Sequence, residues 1–182
     1  MNTWIIFLRG VMPFGKNKVP MAQLRQVLTE AGFEGVQTYI QSGNALLRTE
    51  MSAPEVEACV HDLIQTQIGA DLVIVARTGA QLQKILDHNP FTDVDISRVF
   101  FTMFAQSPAE DKVKKVLSED YAPEALMITQ EAAYLYIPGS AARSKLSNNY
   151  LEKKLGVSAT SRNFNTMKKM IELSQPETPR TP

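Results

Sequence analysis

The residues in this chain best suited to chemistry are cations and amides. Arg9 ends an apolar run, and the loop after Gly10 carries Gly15-Lys16-Asn17-Lys18. A guanidinium that grips two oxygens at once, mobile ammonium groups and accessible backbone N–H groups are what a phosphate or carboxylate needs. The Gly-x-x-x-x-Gly-Lys spacing of a Walker loop occurs at Gly10–Lys16, but Asn17 stands where the motif needs Ser or Thr, so the segment is not read as a P-loop. A second group, Arg143, Ser144 and Lys145, follows Pro138-Gly139-Ser140. With a helix read from about Ser140 to Leu155, these cations fall in its first turns, where free N–H groups and the helix dipole receive an anion. A third group is Arg162, Asn163 and Asn165 in "TSRNFNT". Either asparagine can instead cap the helix that follows, and Arg162 can instead pair with a carboxylate. The fourth is "IQSGNALL" at 40–47, where Ser42-Gly43-Asn44 has turn chemistry and Gly43 or Asn44 accepts a positive φ. Tyr39 and Gln41 share one face of the preceding strand by two-residue alternation. Beside the basic loops, Tyr39, Gln41, Ser42 and Asn44 would add neutral hydrogen bonds to an anion clamp.

Other chemistries are poorly provided for. His61 and His88 are the only histidines and Cys59 the only cysteine, so no zinc cluster and no internal disulfide can form. Cys59 and His61 are two apart on a helix and face different ways, which excludes a dyad. No Ser-His-Asp set can be assembled from spacing, and no cofactor is expected. The aromatic run "RVFFTMFA" lacks the RRM signature and reads as core.

Charge is uneven along a chain whose formal net charge is zero. Residues 1–29 carry +4, residues 30–137 carry −9 and residues 138–170 carry +6. The two basic segments would make one electropositive face if the fold brings them together. Overall neutrality disfavours tight non-specific nucleic-acid binding. With 44% hydrophobic and 21% charged residues, no apolar run long enough to cross a bilayer and no signal-type opening, a cytoplasmic globular protein is expected, as monomer or homodimer.

The elements that must position these residues follow a repeated order. "TWIIFLR" is a strand covered on both faces, and Pro20 opens a helix ending at Gly32. Residues 36–41 and 45–49 form the hairpin around Ser-Gly-Asn. Ser52 with Glu55 makes a capping box for a helix over 54–68, and "LVIVA" is a further strand. Thr78 with Gln81 opens a short helix ending before Asn89-Pro90. From 98 the order recurs: strand, helix opened by a box at Ser107-Pro108-Ala109-Glu110, hairpin around Glu131-Ala132, helix to Leu155, short strand over 157–161 and a last helix over 165–174 with Met167, Met170 and Ile171 inward. Corresponding elements lie about 86–95 residues apart, the spacing expected of a structural duplication. The fold class is therefore α+β: two ferredoxin-like βαββαβ units, 1–90 and 91–174, packed as one body, with 175–182 a disordered polar tail.

Four stretches, "FLRGVMPFGKNKVPMAQLRQVL", "TYIQSGNALL", "LYIPGSAARSKLSNNYLEKKLGV" and "ATSRNFNTMKKMIEL", together resemble the domain of unknown function 1697 family over nearly the whole chain. Phe164 departs from that family's pattern, which has tryptophan between the asparagines. The resemblance implies a duplicated ferredoxin-like fold in a bacterial cytoplasmic protein, and it implies no activity. The residues themselves point to a binding module for an anionic, phosphate-bearing small molecule, nucleotide or nucleic-acid backbone. The alternatives are a small metal-independent enzyme acting on such a ligand, or a dimeric interaction protein whose continuous apolar strands form a subunit interface.

Overall fold

The structure is a computed structural model, and it describes residues 1–175. Most of the expected tail, 176–182, lies outside the described residues.

The first half runs β1 (Asn2–Leu8), α1 (Met21–Glu30), β2 (Glu34–Tyr39), β3 (Asn44–Thr49), α2 (Ala53–Gln67), β4 (Ile74–Arg77) and α3 (Gly79–Asp87). The second repeats it as β5 (Val99–Phe104), α4 (Glu110–Leu117), β6 (Ala125–Ile128), β7 (Ala132–Tyr136), α5 (Asn148–Leu155), β8 (Ala159–Asn163) and α6 (Phe164–Ser174). The sheets have orders β2-β3-β1-β4 and β6-β7-β5-β8, antiparallel throughout. Each is a split βαβ pair of the ferredoxin-like kind, so the expected duplication is present.

Side-chain alternation along β1 explains its unbroken apolar run. Trp4, Ile6 and Leu8 face a core closed by α1 and α2, while Ile5 and Phe7 face a central core. Val99, Phe101 and Met103 of β5 enter that same central core from the other sheet. Between them lie Leu82 and Ile85 of α3 and Met167, Met170 and Ile171 of α6, the last three inward as the helical spacing requires. A third core, with Phe104, Leu151 and Leu155, lies between the second sheet and α4 and α5. The two halves are thus one body around a shared centre. The apolar strands expected to form a subunit interface are buried within the chain instead.

Three local expectations are corrected. The helix read from Ser140 is a 3-10 turn, Ala141–Arg143, followed by a break, and α5 begins only at Asn148 with Ser147 Oγ accepting from the Tyr150 amide. No apolar stripe spans 140–147 to hold an earlier helix against the sheet. The box at Ser107 does not form: α4 starts two residues later with Ala109 as its uncapped N-cap, and Ser107 donates to the Gln130 carbonyl. The first hairpin turns earlier than read, at Ile40–Gly43, so Asn44 is the first residue of β3 and Gln41 is not in the strand with Tyr39. Both other boxes form, with Ser52 N donating to Glu55 at 2.8 Å and Thr78 N to Gln81 at 2.8 Å.

Candidate functional site

The Ser-Gly-Asn hairpin holds an arginine from the other half of the protein. Arg162, on β8, reaches across to the first sheet, where its Nε donates to Asn44 Oδ1 at 2.6 Å. Its Nη2 donates to the carbonyls of Leu8, Ser42 and Gly43 at 3.1–3.2 Å, and its Nη1 to Thr160 Oγ1 and the Ser161 carbonyl. The guanidinium also lies 5.1 Å from the centre of the Phe7 ring. Every acceptor is a neutral oxygen. Burial without a carboxylate pulls the Arg162 pKa down to about 10, still far above neutrality, so the group is charged. Asn44 is oriented for this contact because its Nδ2 donates to the Tyr39 carbonyl and to Ser42 Oγ, both at 3.0 Å.

Backbone geometry in the hairpin serves the same contact. Gly43 has φ +81°, and a Cβ there would stand 2.7 Å from Val11 Cγ2 and 2.9 Å from Leu8 Cβ. Ile40, 51% exposed, is a β-branched residue held at φ 49°. Gln41 Nε2 donates to the Val19 carbonyl and ties the hairpin to the loop before α1. Tyr39 packs at the edge of the central core.

Arg9 forms the other contact across the seam. Its Nε and Nη2 grip both carboxylate oxygens of Glu152 on α5, with Nη2 also donating to Asn149 Oδ1 at 2.6 Å. The hydrogen bond that Arg9 donates to Glu152 raises the Arg9 pKa against burial. Burial works to raise that of Glu152, but the Arg9 and Ala159 hydrogen bonds outweigh it and leave it below the ordinary value. Arg9 Nη1 makes no hydrogen bond among the described residues. Beside this pair is a pocket of about 430 Å³ lined by Arg9, Asn17, Asp71, Glu152 and residues 72–73 and 156–158.

The loop that brings Asn17 to that pocket is closed by its own backbone: Met12 N donates to the Asn17 carbonyl at 2.9 Å and Lys18 N to the Gly15 carbonyl at 3.2 Å. Gly15, at φ +81°, makes the turn. Lys16 and Lys18 are exposed, and neither has a carboxylate within 4 Å among the described residues. Asn17 Nδ2 makes only a long 3.4 Å contact to the Gly10 carbonyl.

The remaining expected residues lie elsewhere or have other partners. Lys145 donates to Glu119 at 3.2 Å and sits over the Tyr121 ring, while Lys154 holds the other Glu119 oxygen. The Lys154, Tyr150 and Lys145 hydrogen bonds hold Glu119 down to about 2. Ser144 Oγ accepts from the Leu146 amide, and Arg143 is exposed. Without an α-helix over 140–147, Arg143, Ser144 and Lys145 do not stand in the first turn of a helix. Asn163 is the cap of α6, its Oδ1 accepting from Thr166 N at 2.9 Å, and Asn165 is exposed in the first turn. The two basic segments do meet, at Arg9 and at Arg162, but these cations are engaged by Glu152 and by the hairpin and do not form an open positive face.

Sequence reasoning missed Glu152 and Asn149, the partners of Arg9, and Arg77. Arg77 stands before the Thr78 cap of α3 as Arg162 stands before the Asn163 cap of α6, and the repeat of arginine before a helix cap was the available signal. Among the described residues no group of three or more His, Cys, Asp or Glu is placed to hold a metal ion. Cys59 is half-buried, and burial raises its thiol pKa.

Comparison with known proteins agrees with this fold. A structure of a conserved bacterial protein, SP0830 from Streptococcus pneumoniae, superposes with a TM-score of 0.74 at 22% identity, over 95% of this chain and 98% of that one. No curated protein matches the sequence. No described helix is long and apolar enough to cross a membrane. Residues 1–134 match the family described as "Protein of unknown function (DUF1697)", and the chain belongs to that family.

Proposed function

We propose that this protein is a binding module for a small phosphate-bearing anion, a nucleotide or a sugar phosphate, held over the pocket beside Arg9 by the loop from Gly10 to Lys18. One observation carries the reading: Lys16 and Lys18 are exposed, lack a carboxylate partner among the described residues, and stand on a loop fixed by its own hydrogen bonds. A loop already ordered loses little entropy when a ligand docks. Arg9 Nη1 and the Asn17 amide add donors at the pocket, while Glu152 holds the Arg9 side chain in place. Arg162, Asn44, Ser42 and Asn163 support the site as scaffold, because their polar groups are engaged within the fold.

A thermal-shift screen with nucleotides, sugar phosphates and inorganic anions tests this, with Lys16→Ala/Lys18→Ala alongside. A ligand at a hundred times its Kd stabilises by about 2.7 kcal/mol, a rise of roughly 5–10 °C for a chain of this size. The expected result is a shift in wild type that falls away in the double variant. No shift with any phosphate compound, or an equal shift in both, would sink the reading.

A further inference from the structure

The two halves treat their closing arginines unequally, and a cavity lies beside the less engaged of the two. In the sheets, Arg77 pairs with Ile5 and Arg162 with Phe101. Two residues farther along those strands, Phe7 pairs with Asn44 and Met103 with Ala132. Ala132 therefore occupies in the second half the position that Asn44 occupies in the first. Each arginine crosses the seam in the same way: Arg162 Nη2 donates to the Leu8 carbonyl at the end of β1, and Arg77 Nη2 to the Phe104 carbonyl at the end of β5.

The correspondence stops there. Arg162 uses all three of its nitrogens on six acceptors. Arg77 makes only two hydrogen bonds among the described residues, to Phe104 and from Nη1 to its neighbour's carbonyl, Ala76, at 2.7 Å. Three of a guanidinium's five N–H donors are left over. The Arg77 side chain is only 19% exposed, so open water does not simply supply the acceptors. Burial pulls its pKa down despite Glu57 and Glu131, which act to raise it. Glu57 stands 3.8 Å away with the same oxygen accepting from the Ala76 amide at 2.7 Å. Beside Arg77 lies a cavity of about 410 Å³ with Arg77, Gln81, Lys84, Ser107, Gln130 and Glu131 on its walls, next in sequence to Ala132.

We propose that this cavity is a binding site for a small monocarboxylate, gripped by the free edge of Arg77. A planar fork of N–H donors matches a planar carboxylate in two parallel hydrogen bonds. Lys84, paired with Glu131 at 2.6 Å, stands in the cavity wall, and Ile85 offers an apolar surface for the body of the ligand. Glu57 and Glu131 beside Arg77 and Lys84 leave no excess positive charge, which disfavours a doubly charged phosphate more than a singly charged carboxylate. The site is separate from the loop at Lys16 and Lys18, and neither depends on the other.

The test is a titration of wild type with butyrate, followed by backbone amide NMR shifts, with inorganic phosphate as the comparison. The expected result is saturable shifts at Gln81, Gln130 and Glu131, with butyrate tighter than phosphate there. Replacing Arg77 itself risks the fold, since it also holds Phe104. Ala132→Asn instead copies the arrangement around Arg162, and it is expected to weaken butyrate binding about tenfold or more. No saturation by about 10 mM, shifts confined to the 10–18 loop, tighter phosphate binding, or unchanged affinity in a folded Ala132→Asn protein would each overturn the assignment.

Discussion

Replacing Arg162 with alanine should destabilise the protein by about 3 kcal/mol, a large effect for one residue outside the apolar cores. Six hydrogen bonds are lost, but they do not count equally. The Ser42 carbonyl lies at an exposed hairpin and takes up water. Asn44 and Leu8 are fully buried, so Asn44 Oδ1 and the Leu8 carbonyl lose a donor that water replaces poorly. At about 1–3 kcal/mol for each buried group left short, these two set the scale. The removed charge works the other way, since burying a guanidinium against neutral oxygens carries a desolvation cost. Arg162→Met, which keeps the length of the side chain without the charge, should therefore lose less than alanine. Arg162→Lys should fall between wild type and alanine, because one ammonium cannot span acceptors on both sheets. Urea unfolding of the four proteins reads this directly, and the alanine variant's Tm should fall by roughly 6–12 °C. An alanine variant within about 0.5 kcal/mol of wild type would refute the clasp, since that is the effect of an ordinary surface substitution.

Other consequences follow from the same hairpin and from His61 on α2. Gly43→Ala should cost about 1–3 kcal/mol in thermal unfolding, because its Cβ meets Val11 and Leu8 well inside contact distance and its φ is positive. Ile40→Gly should stabilise, or at worst be neutral, by relieving a left-handed β-branched residue, and a loss above about 1 kcal/mol would contradict that strain. His61 is held by Asp71 at 2.9 Å and Asp62 at 3.0 Å, and these hydrogen bonds raise its pKa above 6.5. A raised folded pKa contributes stability that is complete below the unfolded value and fades as pH rises through the folded one. Stability measured from pH 6 upward should accordingly show a decline that His61→Gln abolishes; an unchanged pH profile in that variant would contradict the pairing.

Much of the fold was legible because local signals agreed with one another. Unbroken apolar runs marked strands covered on both faces, and Ile5/Phe7 against Ile6/Leu8 show why. The boxes at Ser52/Glu55 and Thr78/Gln81 placed two helix starts. The box at Ser107 failed because a cap motif is only permissive, and there the serine found the Gln130 carbonyl across the hairpin. The candidate site was less legible for a physical reason. Arg162 looks like a ligand-binding residue in sequence because its partners are mainly backbone carbonyls, which every residue carries, and three of them come from the end of β1 and a hairpin near the other end of the chain. Arg9 looks free because Glu152 is a lone acid in a basic segment, and only the packing of α5 against the end of β1 brings the two together. Lys16 and Lys18 are exposed, and Asn17 half-buried, because a short loop closed on itself has no core to enter.

The central claim is that the 10–18 loop beside Arg9 binds a phosphate-bearing anion, and calorimetric titration tests it most directly. The most stabilising compound of the screen, or ADP should several tie, is titrated into wild type and Lys16→Ala/Lys18→Ala at low and high salt. The account predicts saturable binding to wild type that weakens with salt, as exposed charges are screened, and a loss of about tenfold or more in the double variant. Binding of equal affinity in both proteins, or no heat with any phosphate compound, would contradict it.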